Sequence, residues 1–144
     1  MLSNTCKYAI RAVLYLALNA DGNKKIGIKK ISKELNLPTP FLGKILQVLA
    51  KSKILLSTKG PNGGFGLGKP SKDITLMKII DIIDGEDNFN TCLISLHSCS
   101  TEEKNCPIHD NYAPIREQVK QLFTYENIAE LVENIKSNQN RVII

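Results

Sequence analysis

Between residues 28 and 49 the chain carries two short helical periodicities split by a hard stop, and few folds accept that arrangement. Ile28, Ile31 and Leu35 repeat at helical spacing, predicting a helix over residues 28–36. Asn36-Leu37-Pro38 ends it, because a proline disfavours the helical conformation at the residue before it. Thr39 is placed to cap a third helix, with Pro40 at its first position, where a missing N–H costs nothing. Leu42, Ile45, Leu46 and Leu49 then supply that helix's buried stripe. A longer segment precedes the pair. Over residues 3–20, Tyr8, Ala9, Ala12, Val13, Leu16 and Ala17 fall on one stripe, and Asp21-Gly22-Asn23 closes it. Short helices separated by tight breaks make a helix-turn-helix pattern.

The next segment is not helical. Residues 54–58 are short and apolar, Phe65 and Leu67 alternate with glycines, and Lys59-Gly60-Pro61-Asn62-Gly63-Gly64 lies between them. Two short strands around a glycine-rich tip predict a β-hairpin, or wing. Residues Gly63 to Lys69 also fit the first seven positions of a phosphate-binding loop. The eighth position is Pro70, where that loop needs a hydroxyl for magnesium, and Pro70-Ser71-Lys72-Asp73 reads as a turn rather than as the helix start that loop requires. The wing glycines are instead expected to let the tip lie close to a sugar–phosphate backbone. Thr75 is placed to cap a fourth helix carrying Met77, Ile79, Ile80 and Ile83, ended by Asp84-Gly85. Residues 86–111 read as an irregular, cysteine-bearing loop, and a loop this long inside a small domain is usually functional. Helical periodicity returns over 112–123, with Ile115, Val119, Leu122 and Phe123. It recurs over 126–136, with Ile128, Leu131, Val132 and Ile135, and the tail after Ser137 is expected to fray. The fold class is mainly α with a small β-hairpin wing.

Charge is unevenly divided. Residues 1–82 hold fourteen Lys and Arg against four Asp and Glu, whereas residues 83–144 hold five against ten. Such a split directs only the first half toward a polyanion. A helix read out in a DNA major groove needs small or polar side chains near its N-terminus and cations beside it. Opposite the buried stripe of the third helix lie Pro40, Phe41, Gly43, Lys44, Gln47 and Lys51. Gln47 is suited to an adenine edge, and Lys44 to guanine or phosphate. Thr39 and the free N–H groups of the first turn can hold a phosphate. Lys29, Lys30, Lys33, Lys53 and Lys59 are further phosphate candidates. A solvated lysine-rich face is the plain alternative for all of these.

Of four cysteines, Cys6 sits in the first helix and reads as a small buried residue. Cys92, Cys99 and Cys106 share one loop at even spacing, with six residues in each gap, and His109 follows Cys106 closely. Three thiolates and an imidazole can ligate a metal. The close cysteine knuckle usual for structural zinc is absent, and longer spans can wrap an iron–sulfur cluster. Metal-free thiols, inert or redox-active, remain the alternative from spacing alone.

These motifs together resemble the Rrf2 family of bacterial winged-helix transcription regulators, which includes iron–sulfur regulators of the IscR and NsrR type. The likeness runs through Tyr8-Ala9-Ile10-Arg11-Ala12, then Phe41-Leu42 with Lys44-Ile45-Leu46, then the wing Lys59-Gly60-Pro61-Asn62-Gly63-Gly64-Phe65 and the three-cysteine loop. The resemblance implies a winged helix-turn-helix over 1–84, a cysteine-bearing sensor loop over 85–111, dimerisation helices over 112–137 and a flexible tail over 138–144. It implies a homodimer that binds a palindromic operator in double-stranded DNA through the third helix and the wing, at Lys59, Gly60, Pro61, Asn62, Gly63 and Gly64. It also implies an iron–sulfur cluster, 2Fe–2S or 4Fe–4S, on Cys92, Cys99 and Cys106, with His109 as the fourth ligand. A second branch of the family takes a carboxylate from the partner's first helix, but the matching residue here is Lys7, which as a cation cannot ligate. Three departures stand out. Lys59 replaces the wing arginine and loses its bidentate fork. Gly43 stands where one branch has a glutamate that tunes operator choice. One or both of the cysteine gaps are longer than in cluster-bearing members of the family.

No acid–base pair or nucleophile–base spacing stands out, so an enzyme is not expected. A winged-helix module that binds protein rather than DNA is the alternative of another class, and the charge split argues against it. No run approaches the roughly 20 apolar residues of a membrane span, and no signal peptide is discernible, so a cytoplasmic protein is expected.

Overall fold

The computed structural model describes residues 1–20, 24–94 and 106–138. In chain order the elements are α1 (Asn4–Asn19), α2 (Ile28–Leu35), α3 (Thr39–Lys51), β1 (Leu55–Thr58), β2 (Gly64–Leu67), α4 (Leu76–Asp84), α5 (His109–Tyr125) and α6 (Ile128–Ser137). Short 3₁₀ turns at Ser71–Asp73 and Glu86–Phe89 flank α4. The expected fold class, mainly helical with a two-stranded wing, is what the chain adopts.

α1 is the hub, packed against α2, α3, α4, α6 and β2. Its stripe turns inward as the periodicity requires: Ala9, Ala12, Val13 and Leu16 are fully buried, and Cys6 joins them. The small residues let neighbouring helices approach closely. Ile31 and Leu35 of α2, and Leu42, Ile45, Leu46 and Leu49 of α3, enter the same core. Each fully buried aliphatic contributes about 1.5–3 kcal/mol relative to exposure, so this stripe fixes which face of α3 remains outside. The expected closure of α1 at Asp21-Gly22-Asn23 lies outside the described residues.

Several helix starts differ from expectation. α3 begins at Thr39, with Pro38 as its N-cap and no side-chain cap bond, so Pro40 is the second helical residue rather than the first. The Thr39 hydroxyl has a better partner across the turn: it donates to Ser32 Oγ at 3.0 Å, and the Ser32 hydroxyl donates to the Leu37 carbonyl. α5 begins at His109, three residues before the expected start. Its N-cap, Ile108, makes no side-chain cap bond, so no capping residue marks the start. Pro114 lies inside the helix. Thr75 caps α4 as expected, accepting from the Lys78 N–H at 3.3 Å, whereas α6 starts at Ile128, two residues after the expected 126, with Asn127 accepting from the Glu130 N–H at 3.1 Å.

α6 returns to the first half of the chain. The Leu76 N–H donates to the Glu126 carbonyl at 3.0 Å, and the Ile128 N–H donates to the Ile74 carbonyl at 2.9 Å. Ile128 and Val132 join the core around α1. α5 packs on α4, and Phe89 meets Phe123 with ring centroids 5.7 Å apart. α5 leaves Ile115, Leu122 and Tyr125 exposed. Among the described residues no helix is long and apolar enough to cross a membrane.

Candidate nucleic-acid interface and candidate metal centre

α3 presents an outer face of Pro40, Lys44, Gln47 and Lys51, all exposed. Val48, 42% exposed, lies on the same face. Sequence reasoning passed over it because an apolar residue is ordinarily assigned to the core stripe; its position four residues after Lys44 was the available signal. Two of the expected contacts, Gly43 and Thr39, are more internal, and Phe41 is exposed but anchored to α1. Gly43 is half-buried, and a Cβ there would stand 3.3 Å from Ile28 Cδ1 of α2. Thr39 is half-buried and bonded to Ser32. Phe41 stands edge-on to Tyr8 of α1 at 5.8 Å, with the Arg11 guanidinium 5.9 Å from the same Tyr8 ring. Phe41 thereby ties α3 to α1 while leaving part of its ring outside. Pro38 and Pro40 remove two of the N–H groups a helix start normally offers, so the backbone donors there are those of Thr39 and Phe41.

The wing pairs Leu55 with Leu67 and Thr58 with Gly64 in antiparallel register. Its tip closes through the Gly63 N–H donating to the Gly60 carbonyl at 2.9 Å, with Pro61 and Asn62 between. Lys59, Gly60, Pro61 and Asn62 are exposed. Gly60 has φ 107°, a conformation that excludes most side chains, and the space around it is open. Gly64 is held differently. It already belongs to β2, and a Cβ on it would lie 2.5 Å from the Ile26 carbonyl. That close approach follows from a backbone bridge in which Ile26 and Phe65 exchange N–H···O bonds of 2.9 Å each. Gly64 is thus required by the chain's own packing. Lys29 is exposed in the first turn of α2, and Lys53 is exposed at the base of the wing.

The two ends of the cysteine loop are described; Cys99 and His97 lie outside the described residues. Cys92 is half-buried after the 3₁₀ turn that follows α4. Cys106 and His109 are buried in one turn, in which the His109 N–H donates to the Cys106 carbonyl at 3.0 Å. Thiolate and imidazole suit iron or zinc, so the donor set fits a metal centre in kind. Among the described residues no three His, Cys, Asp or Glu gather into a metal site. Arg116 spans the start of the loop and α5, donating to the Thr91 carbonyl at 3.3 Å and lying 5.8 Å from the Tyr112 ring centroid.

A family model described as Rrf2, iron-dependent transcriptional regulator, matches residues 2–134. A protein of Aquifex aeolicus described as a candidate HTH-type transcriptional regulator is 34% identical over 133 residues, covering 92% of this chain and 91% of that protein. Among solved structures, CymR, the global cysteine regulator of B. subtilis, superposes with a TM-score of 0.77 at 22% identity, covering 93% of this chain and 97% of CymR. The T. potens IscR structure superposes with a TM-score of 0.74 at 18% identity, covering 99% of this chain and 93% of that one.

Proposed function

The chain belongs to the Rrf2 family of transcriptional regulators, and from that premise we propose that it regulates transcription from a palindromic operator, as a homodimer in the cytoplasm whose DNA affinity is set at the cysteine loop. The observation that carries this reading is the outer face of α3. A polar and cationic row is fixed outward by the buried stripe behind it and lies in the basic half of the chain. Gln47 serves an adenine edge, Lys44 a guanine edge or phosphate, and Val48 a thymine methyl. Pro40, Thr39, Phe41 and Gly43 shape the entry of α3 into the groove, while Lys51, Lys29, Lys59 and the tip Gly60-Pro61-Asn62 meet the backbone. The exposed face of α5, with Ile115, Leu122 and Tyr125, is suited to a second copy. Two such copies set half-sites about 34–36 Å apart.

Cys92, Cys99, Cys106 and His109 are the residues that would hold an iron–sulfur cluster. When bound, such a cluster supplies an iron centre sensitive to oxidants and to small ligands. The chain's part is mechanical. The loop leaves α4 just past Asp84, which accepts from the Ser3 N–H at 2.9 Å at the head of α1. α1 in turn meets α3 through Tyr8 and Phe41. Ordering the loop therefore bears on the seat of α3, and a small shift suffices to change the fit of two half-sites. The T. potens neighbour is an IscR and the B. subtilis neighbour is named a cysteine regulator, so the shared fold leaves room for a second reading, a metal-free thiol switch or a zinc site.

Anaerobic reconstitution with iron and sulfide, followed by visible absorption, separates these. Wild type should show a sulfur-to-iron band that Cys92→Ala, Cys99→Ala and Cys106→Ala each lose. No band in wild type sinks the cluster, and metal analysis with thiol counting after mild oxidant then decides between zinc and thiols. Failure of wild type to bind any duplex from a randomised pool sinks DNA regulation and favours a protein-binding module.

A further inference from the structure

Gly66 is a glycine for a reason unlike those of its neighbours in the wing. A Cβ on Gly63 would stand 2.2 Å from the Thr58 carbonyl oxygen, and one on Gly68 would stand 2.6 Å from the Lys53 carbonyl oxygen. Those collisions, like that of Gly64 with Ile26, are with backbone, and they follow from closing the hairpin. For a Cβ on Gly66 the three nearest atoms would all belong to one side chain: Lys25 Nζ at 3.0 Å, Cδ at 3.1 Å and Cε at 3.6 Å. Lys25 lies across β2 and buries Gly66 beneath it, although the hairpin has only two strands.

The backbone explains the placement. The bridge between Ile26 and Phe65 lays the segment before α2 along the free edge of β2. Side chains alternate along such a segment, so with Ile26 turned into the core, Lys25 falls on the opposite face. That face is the outer one: Gly66 pairs with Leu56, which is 51% exposed. Lys25 is half-buried, and among the described residues it makes no ion pair with a carboxylate. A lysine laid in a glycine slot has already lost rotamer freedom that a free lysine loses on contact. A side chain at position 66 would crowd the lysine and oblige it to shift.

We propose that Lys25, seated on Gly66, is a pre-positioned phosphate contact on the outer face of the wing, holding a phosphodiester of the operator backbone apart from the tip and from α3. The proposal rests on the DNA-binding reading. It adds one cation that composition alone cannot separate from the other lysines of the first half.

The test uses the full chain and a duplex selected from a randomised pool by the wild-type protein, with affinity measured across a salt series. Each phosphate contact contributes about 0.9 to the slope of log affinity against log salt. Lys25→Ala should lower the slope by about 0.9 and weaken binding severalfold, with unchanged preference among operator sequences. Gly66→Ser, which keeps every charge but crowds the slot, should reproduce part of that loss. Lys24→Ala, an exposed neighbour, should leave the slope near wild type. A wild-type slope for Lys25→Ala overturns the proposal, as does an equal loss for Lys24→Ala, which would mean diffuse charge rather than a seat. If Gly66→Ser fails to fold, as judged by thermal melting, the paired lysine variants still decide. If wild type binds no duplex, the functional reading falls first.

Discussion

Asp84 is the last residue of α4 and the anchor of the first turn of α1. Its carboxylate accepts from the Ser3 N–H at 2.9 Å and from the Ser3 hydroxyl, and that hydroxyl accepts from the Cys6 N–H at 3.0 Å. The same carboxylate faces the Cys6 thiol. Burial, then the charge of Asp84, then a hydrogen bond to it push that thiol up to about 12. A thiol held neutral is a poor nucleophile. At pH 8, therefore, a maleimide should label Cys6 only after unfolding, and rapid labelling of the native protein would contradict the buried placement. Linkage gives a second consequence. The folded value lies above the unfolded 9.0, so the native state binds the extra proton between the two. Its contribution is complete below pH 9 and is lost as pH rises toward 12. Urea melts should show stability falling over that alkaline range, with Cys6→Ala flattening part of the fall. Asn36 illustrates a residue effect legible in sequence: it ends α2 at φ 52°, the left-handed region. Asn36→Ala should cost about 1–2 kcal/mol in the same melts, because a Cβ without the local amide is disfavoured there, and Asn36→Gly should cost less.

At the scale of elements, the wing was visible as strand, turn and strand, but its attachment was not. Nothing local to Gly64 announces that Ile26, far back in the chain, runs within 2.5 Å of where a Cβ would be. Gly64→Ala should therefore detach β2 from that segment, raising amide exchange at Phe65 and weakening DNA binding at least tenfold. Protection in α1 and α4 should survive; its collapse would mean the wing is integral to the core. α3 was legible in its stripe and in most of its outer face, and misread at its start. A threonine before a proline is a reasonable cap, and only the presence of Ser32 across the turn draws its hydroxyl elsewhere. α5 is the opposite case. Its periodicity is plain, yet Ile115 is 57% and Leu122 53% exposed, since a stripe says that a face wants covering and not what covers it. Ile115→Glu with Leu122→Glu should shift sedimentation from dimer to monomer while leaving the melting temperature of the DNA-binding half near wild type. An unchanged dimer places the interface elsewhere.

For the molecule as a whole, the path from loop to groove is short. The loop begins beyond Asp84, Asp84 holds α1, and α1 holds α3 through Tyr8 and Phe41. If this is the coupling route, Asp84→Asn should leave DNA binding measurable but shrink the difference in affinity between protein with intact and with oxidised loop thiols. A wild-type difference in that variant places the coupling elsewhere, in the direct contact of α4 with α3 or in that of α5 with α4.

The sequence by itself determined the helix-turn-helix, the wing, the basic first half and the spacing of the cysteines, because each rests on local spacing, local turn chemistry or simple counting. The tertiary structure alone decided that α6 closes over α1, that Gly43 packs on Ile28, that Val48 faces outward and that Lys25 lies in the slot of Gly66. The physical reason is the same in each case. Burial and close approach are set by segments distant in the chain, and a periodicity records only that a surface must be covered.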